Sequence, residues 1–236
     1  MTDPHTPADA RVAVRAAGAR PTTYTLVLNL LPLAYLVVGG YLAVAYDAWS
    51  HRAIFAFAWI YVLPPLVVRI ALTIAGGSEG SDLDQSTRAY KAWWFSTQMQ
   101  VVFNRLPALE EALRLVPGLY ALWLGLWGAR VSTKVYWAAG SIVTDRTLVV
   151  IGDAVVVGTR AVLAPHLAFK DAEGDLRVTV ARIHIEDEVL IGAYAGIGPG
   201  CRIESGAEVP AASFLRPFTH WYKDRRVRAD RPRLRA

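Results

Sequence analysis

The stretch Ile185–Leu215 reads IEDEVL-IGAYAG-IGPGCR-IESGAE-VPAASF-L, and its period decides the fold. An aliphatic residue recurs at every sixth position: Ile185, Ile191, Ile197, Ile203, Val209 and Leu215. Four positions after each of the first five stands Val189, Ala195, Cys201, Ala207 or Ser213, mostly small. No α-helix or ordinary sheet requires a period of six, and an internal repeat outranks local propensity as a fold signal. Each hexad reads as a short flat strand and a turn, with three hexads closing one triangular coil. The aliphatic fills the prism interior and the small residue points into what space remains. Gly192 and Gly198 follow their aliphatics where a tight turn is expected, and glycine meets unusual backbone angles at least cost. Stacked coils bury one continuous core through nearest-neighbour contacts.

The same phase runs earlier through Ile151, Val157 and Leu163, each with Val155, Ala161 or Leu167 four residues on. Val131, Trp137 and Val143, with Val135, Ser141 and Thr147, continue it more weakly toward the N-terminus. The spacing predicts a left-handed parallel β-helix over 131–216, with two irregularities. The register slips at Thr144–Leu148. The charged segment Phe169–Arg182, FKDAEGDLRVTVAR, lies off the period and reads as a loop expelled from the coil. Such excursions emerge on one face, often the binding face.

The hexads, the interrupting loop and His166 just before it resemble the hexapeptide-repeat acyltransferases, and within them the xenobiotic and sugar O-acetyltransferase branch. The resemblance covers Val131–Arg226. It implies a homotrimer with active sites between subunits and His166 as general base. It also implies acetyl-CoA or another acyl-CoA as donor, held in a groove between β-helices. Gly192, Ala193, Gly198 and Pro199 match the region that lines such a groove, and Lys223, Arg225 and Arg226 are placed to meet phosphates. The coils with a membrane lead-in also resemble terminal modules of membrane-bound nonribosomal peptide synthetases. That likeness implies a thioester on an acyl carrier protein as donor, with the carrier as partner.

The front of the chain is of another kind. The 236 residues are 54% hydrophobic, with eight Trp, too apolar for an ordinary soluble enzyme. Tyr24–Tyr46 carries no charge and is about one bilayer thick as a helix. A second run, Ala53–Val68, follows a short polar turn and continues past Arg69, a position from which an arginine can snorkel. Two buried core helices would give similar runs, but the tight polar turn favours a transmembrane α-hairpin over 23–76. Pro64 and Pro65 are expected to kink its second helix. The first run is too long for a cleaved leader. Arg11, Arg15 and Arg20 precede the hairpin and Arg88, Lys91 and Arg105 follow it, so the positive-inside rule puts both termini in the cytoplasm. The expected location is the inner, cytoplasmic membrane, with the β-helix on the cytoplasmic side.

The segment 77–130 reads as linker and amphipathic helices. Pro107 interrupts a helical pattern from Ser86 to Arg114. Val116–Arg130, VPGLYALWLGLWGAR, is too short to span; it reads as an interfacial helix on the cytoplasmic leaflet and as a cap on the open end of the first coil, two readings that do not exclude each other. The basic tail 217–236 fits a solvated end, a contact with anionic lipid, or a grip on a phosphorylated cofactor. Its aromatics are not interleaved with its charges, which argues against nucleic acid as partner. The single cysteine, Cys201, sits in an inward repeat slot, so no disulfide framework exists.

Acyl transfer from a thioester needs a base to take the acceptor's proton and donors to hold the oxyanion. His5 and His51 lie in a polar tail and in the hairpin turn. Of the others, His166 takes the base role by the resemblance. Asp145, in the slipped step, either orients a histidine or pairs with Arg146 to hold a corner. His184, and His220 with Trp221, are candidates for acceptor contacts, although His184 equally fits a loop anchor. No histidine pair at metal-ligand spacing accompanies the single cysteine, so no catalytic metal is expected. A non-catalytic membrane scaffold that trimerises partners remains as a reading of another class.

Overall fold

The computed structural model describes residues 21–223 and 225–227. The N-terminal arginines and His5 fall outside this range, as do the tail residues beyond 227 and the side chain of Arg226. The chain begins with α1 (Thr23–Leu28), capped by the Thr22 side chain, and α2 (Leu31–Val44). A short turn leads to α3 (Trp49–Phe57), a π-turn at Ala58–Val62 and α4 (Leu63–Ala75). The irregular turn precedes Pro64-Pro65, whose missing N–H groups cannot complete a regular ladder. Gly76, in the left-handed region at φ 78°, ends α4. The two continuous helical stretches, Thr23–Val44 and Trp49–Ala75, are each long and apolar enough to cross a membrane.

Next come β1 (Gly80–Leu83), α5 (Arg88–Arg105), α6 (Ala108–Arg114) and α7 (Leu119–Leu126). Pro107 separates α5 from α6 as expected. From Arg130 onward the chain winds through two- and three-residue strands, β2 (Arg130–Val131) to β7 (Val162–Leu163) and β10 (Ile183–Ile185) to β16 (His220–Tyr222). These strands form three parallel sheets, ordered β16-β13-β10-β5-β2, β14-β11-β6-β3 and β15-β12-β7-β4, with β17 (Arg225–Val227) antiparallel on the first. The register stacks Val131, Ile151, Ile185, Ile203 and Trp221 in one column and Val143, Leu163, Ile197 and Leu215 in another. The hexad aliphatics are therefore the ladder of the core, and Ile185, Ile191, Ile197 and Ile203 are all essentially inaccessible. Coils of this kind follow the N-terminal helical region, consistent with the expected left-handed parallel β-helix.

Two local readings change. Gly192 and Gly198 have no positive φ; from Ile185 onward that conformation falls on the third residue after the inward aliphatic, at Glu188, Tyr194, Gly200, Gly206, Ala212 and Phe218, and earlier at Gly140, Ala154 and Arg160. Glycine at 192 and 198 answers the next coil instead. A Cβ on Gly192 would lie 2.4 Å from Ala211 N, and one on Gly198 2.8 Å from Leu215 O. The off-period segment does leave the coil, but as a hairpin and not as an irregular loop: β8 (His166–Lys170) pairs with β9 (Leu176–Val180), and β1 of the linker adds to β9 as a third strand. Val178 and Val180 are buried with Tyr90, Trp93 and Leu148 in a small core of their own.

The segment 116–130 caps the first coil. Tyr120, Trp123, Leu124 and Trp127 are buried in the same core as the hexad aliphatics, while Leu119, Leu122 and Leu126 face outward. The helical region and the β-helix thus share one apolar interior.

Candidate functional site

Each coil turns a corner between the sheet containing β7 and the sheet containing β10. In the first coil that corner is Thr144–Thr147, in the second the hairpin leaves it at Pro165 and returns at Ala181, and in the third it is Gly198–Gly200. Backbone bonds tie these levels together: Ala181 N–H donates to Pro165 O at 2.9 Å and Gly200 N–H to Ala181 O at 3.2 Å. Stacking therefore brings Asp145 below His166, although the sequence separates them by a full coil.

His166 Nδ1 is 2.5 Å from Asp145 Oδ2. The carboxylate is 1% exposed and the imidazole 28% exposed. Asp145 also accepts from Thr144 Oγ1 at 2.9 Å and from the Trp93 indole N–H at 3.0 Å. The Trp93 ring lies beside the imidazole, 5.1 Å between centroids. Burial disfavours the charged carboxylate, but the hydrogen bond and charge of His166, with Thr144 and Trp93, outweigh it and hold Asp145 below its usual range. Burial likewise disfavours imidazolium; the hydrogen bond to Asp145 and its charge prevail, and His166 is raised above its ordinary value. With Nδ1–H donating to the carboxylate, the neutral ring carries its lone pair on Nε2, which makes no hydrogen bond among the described residues.

Arg146 is what holds this corner in place. It is 1% exposed. Its backbone N–H donates to Gln100 Oε1 at 2.7 Å, its Nε to Glu110 Oε1 at 2.5 Å and its Nη2 to Asn104 Oδ1 at 2.9 Å. Helices α5 and α6 thus grip the slipped step and fix the aspartate beside it. The Asp145-Arg146 pair combines both sequence readings, one residue orienting the histidine and the other holding the corner.

The remaining candidates do not converge on this pair. Gly198 and Pro199 belong to the same corner, one level on. Gly192 and Ala193 lie at a different corner, between β11 and β12, where the two four-stranded sheets meet. His184 is exposed on the flat face of the six-stranded sheet, in register with Arg202, which in turn pairs with His220. Burial first, then Arg182 and Arg202, lower the His184 pKa. His220 Nε2 contacts Glu204 Oε1 at 2.5 Å, and Trp221 donates to Glu208 O at 2.9 Å while filling the end of the core column. Lys223 lies over the Tyr222 ring, and Arg225 is on the terminal strand, where Tyr222 is its register partner. Among the described residues no cluster of three or more His, Cys, Asp or Glu has the form of a metal site. Trp93 is the residue of this corner that the sequence reading missed. It lies in a helical AWW run whose only signal is aromaticity, and only the packing of α5 against the corner aims its N–H at Asp145.

No family model matches the chain, and no curated protein matches it. Structural neighbours are hexapeptide-repeat acetyltransferases. One, from Vibrio cholerae and solved with acetyl coenzyme A, is 15% identical with a TM-score of 0.35, over 62% of this chain and 92% of that one. Another, the serine acetyltransferase of Neisseria gonorrhoeae, is 13% identical with a TM-score of 0.24, over 84% of this chain and 91% of that one.

Proposed function

We propose that this protein is a membrane-anchored acyltransferase in which His166 is the general base. The observation that carries the reading is the buried Asp145 carboxylate bonded to Nδ1 of a histidine that keeps Nε2 open at a coil corner. An acceptor hydroxyl or amine gives its proton to Nε2 as its heteroatom attacks the thioester carbonyl. The tetrahedral intermediate collapses with cleavage of the C–S bond, and the imidazolium returns the proton to the departing thiolate. Asp145 keeps the reactive tautomer and stabilises the imidazolium without itself accepting the proton. A base of this kind contributes about 10²–10⁴ in rate. Acetyl-CoA is the simplest donor and O-acetylation of a saccharide or lipid-linked hydroxyl the simplest outcome.

Membrane anchoring rests on the two apolar helical stretches, of whose most apolar windows only 6% and 17% is buried inside the molecule. A water-soluble fold would cover more of them. The positive residues flanking the pair favour a cytoplasmic catalytic domain in the inner membrane. A homotrimer is supported by the outward rows of two β-helix sheets. Ile142 and Phe214 are exposed on one, Tyr136 and Leu190 on the other.

The test is thiol release from acetyl-CoA by the detergent-solubilised chain with a membrane-lipid acceptor extract. His166→Ala is expected to lose about 10²–10⁴ of the rate while staying folded, with a lowered melting temperature because Asp145 loses one of its three donors. Equal rates would remove the base assignment. Turnover of an acylated carrier protein but not of acetyl-CoA would establish the carrier-bound donor instead.

A further inference from the structure

A cavity of about 350 Å³ opens where α4 ends, bounded by Arg69, Thr73, Glu79, Trp127, Thr147 and Arg182. Its chemistry is that of an anion site. Arg69 is exposed, and its stem lies beside Gly128, whose φ of 97° favours glycine. Arg182 is held from the opposite side by Glu79, with Nε 3.7 Å from Oε1 and its backbone N–H donating to the same oxygen at 2.8 Å. Two guanidinium groups against one carboxylate leave a net positive charge. Buried Trp127 contributes an apolar wall to the cavity. The carboxyl end of α4 carries the unfavourable sign for an anion, but the Arg88 guanidinium donates to Ile74 O there and offsets it.

Leu66, Ile70 and Ile74 of α4 are exposed at four-residue spacing, and Arg69 and Thr73 lie along the edge of that stripe. Acyl chains lying on the stripe would bring a lipid phosphate to the cavity mouth. The cavity also borders the corner that carries the histidine. Thr147 follows Asp145 within the slipped step, and Arg182 closes the hairpin that His166 opens.

We propose that this cavity holds the phosphate of a membrane lipid that serves as, or carries, the acyl acceptor, with Arg69 and Arg182 as its cationic partners. The assignment rests on the membrane-anchored reading above but not on His166 being the base. It narrows the acceptor to a phospholipid or lipid-linked phosphate and explains why an enzyme of this type carries its own apolar hairpin.

The full chain in detergent is titrated with dioctanoyl phosphatidic acid, dioctanoylglycerol, inorganic phosphate and coenzyme A. Phosphatidic acid is expected to bind at least about tenfold tighter than dioctanoylglycerol. Arg69→Gln and Arg182→Gln are each expected to weaken it by about ten- to a hundredfold, the usual yield of a charge-assisted hydrogen bond. Arg69 is exposed, so its variant keeps the fold even where loss of Arg182 disturbs the Glu79 contact; melting curves check this. Lipid binding is read without turnover, so failure of this site is separated from failure of the acyl-transfer mechanism. Equal affinity for dioctanoylglycerol, or no effect of Arg69→Gln, overturns the proposal. So does arginine-dependent competition by inorganic phosphate or coenzyme A at the lipid's own affinity, because the cavity would then be a soluble-phosphate site.

Discussion

At the scale of the residue, the corner works because a buried charge is never left alone. Asp145 has three hydrogen-bond donors around it, Nδ1 of His166, Thr144 and Trp93, and the aspartate in turn chooses the tautomer of the histidine. In the proposed mechanism Trp93 is a positioning residue. Trp93→Phe keeps the ring beside the imidazole but removes one donor to Asp145; kcat is expected to fall about three- to tenfold with KM unchanged, a split that a merely structural loss would not give. The pair also links folding to pH. The raised His166 contributes stability that is complete below its unfolded value of 6.5 and is lost as pH rises through its higher folded value. The lowered Asp145 contributes stability that is present above its unfolded value of 3.8 and lost as pH falls through its folded value. The ion pair thus adds most between those limits, and Asp145→Asn is expected to flatten that part of a melting-temperature profile measured against pH.

At the scale of the element, the hexad dictates geometry more strictly than composition does. Ile197, wholly buried in its column, contacts the levels above and below; Ile197→Ala is expected to cost about 2–5 kcal/mol in a reversible unfolding measurement. Gly192→Ala drives a methyl into the backbone of Ala211 and is expected to cost about 1–3 kcal/mol by the same measurement. The helices contribute as much to the corner as the coils do. Arg146→Ala strands Glu110 as a buried carboxylate that keeps only the longer, 3.5 Å contact to Arg114; a loss of about 3–5 kcal/mol is expected. The coil register could be read from the sequence because period six and inward burial are one constraint. The hairpin β8–β9 could not, because it lies off the period and its third strand, GSDL, has no strand propensity and reaches β9 from before α5. His166 was legible by resemblance and Asp145 by the slip in the repeat. Their contact was not, since it is made by stacking across a coil, and Trp93 was invisible for the same reason.

At the scale of the whole molecule, one interior runs from the caps of α7 to the last coil, so the apolar hairpin is packed onto the β-helix instead of being tethered by a loose linker. Trp123 donates to Tyr61 O at 2.9 Å, and Tyr61 donates to Leu109 O at 3.0 Å, which locks α4's approach to the cap. Light scattering of the detergent-solubilised chain is expected to give three copies per particle, and Phe214→Glu on the exposed sheet face to give one. A wild-type monomer would leave the apolar rows for another partner. The account as a whole turns on the acid–base pair at the corner. The most direct test is the pH dependence of kcat/KM for the wild type and for Asp145→Asn, with the thiol-release assay. The wild type is expected to show an acid limb above the ordinary imidazole value of 6.5, and Asp145→Asn to shift that limb to lower pH with a rate at the plateau reduced at least about tenfold. Superimposable profiles for the two proteins, or a wild-type rate flat from about pH 5 to 8, would contradict the dyad as the catalytic base.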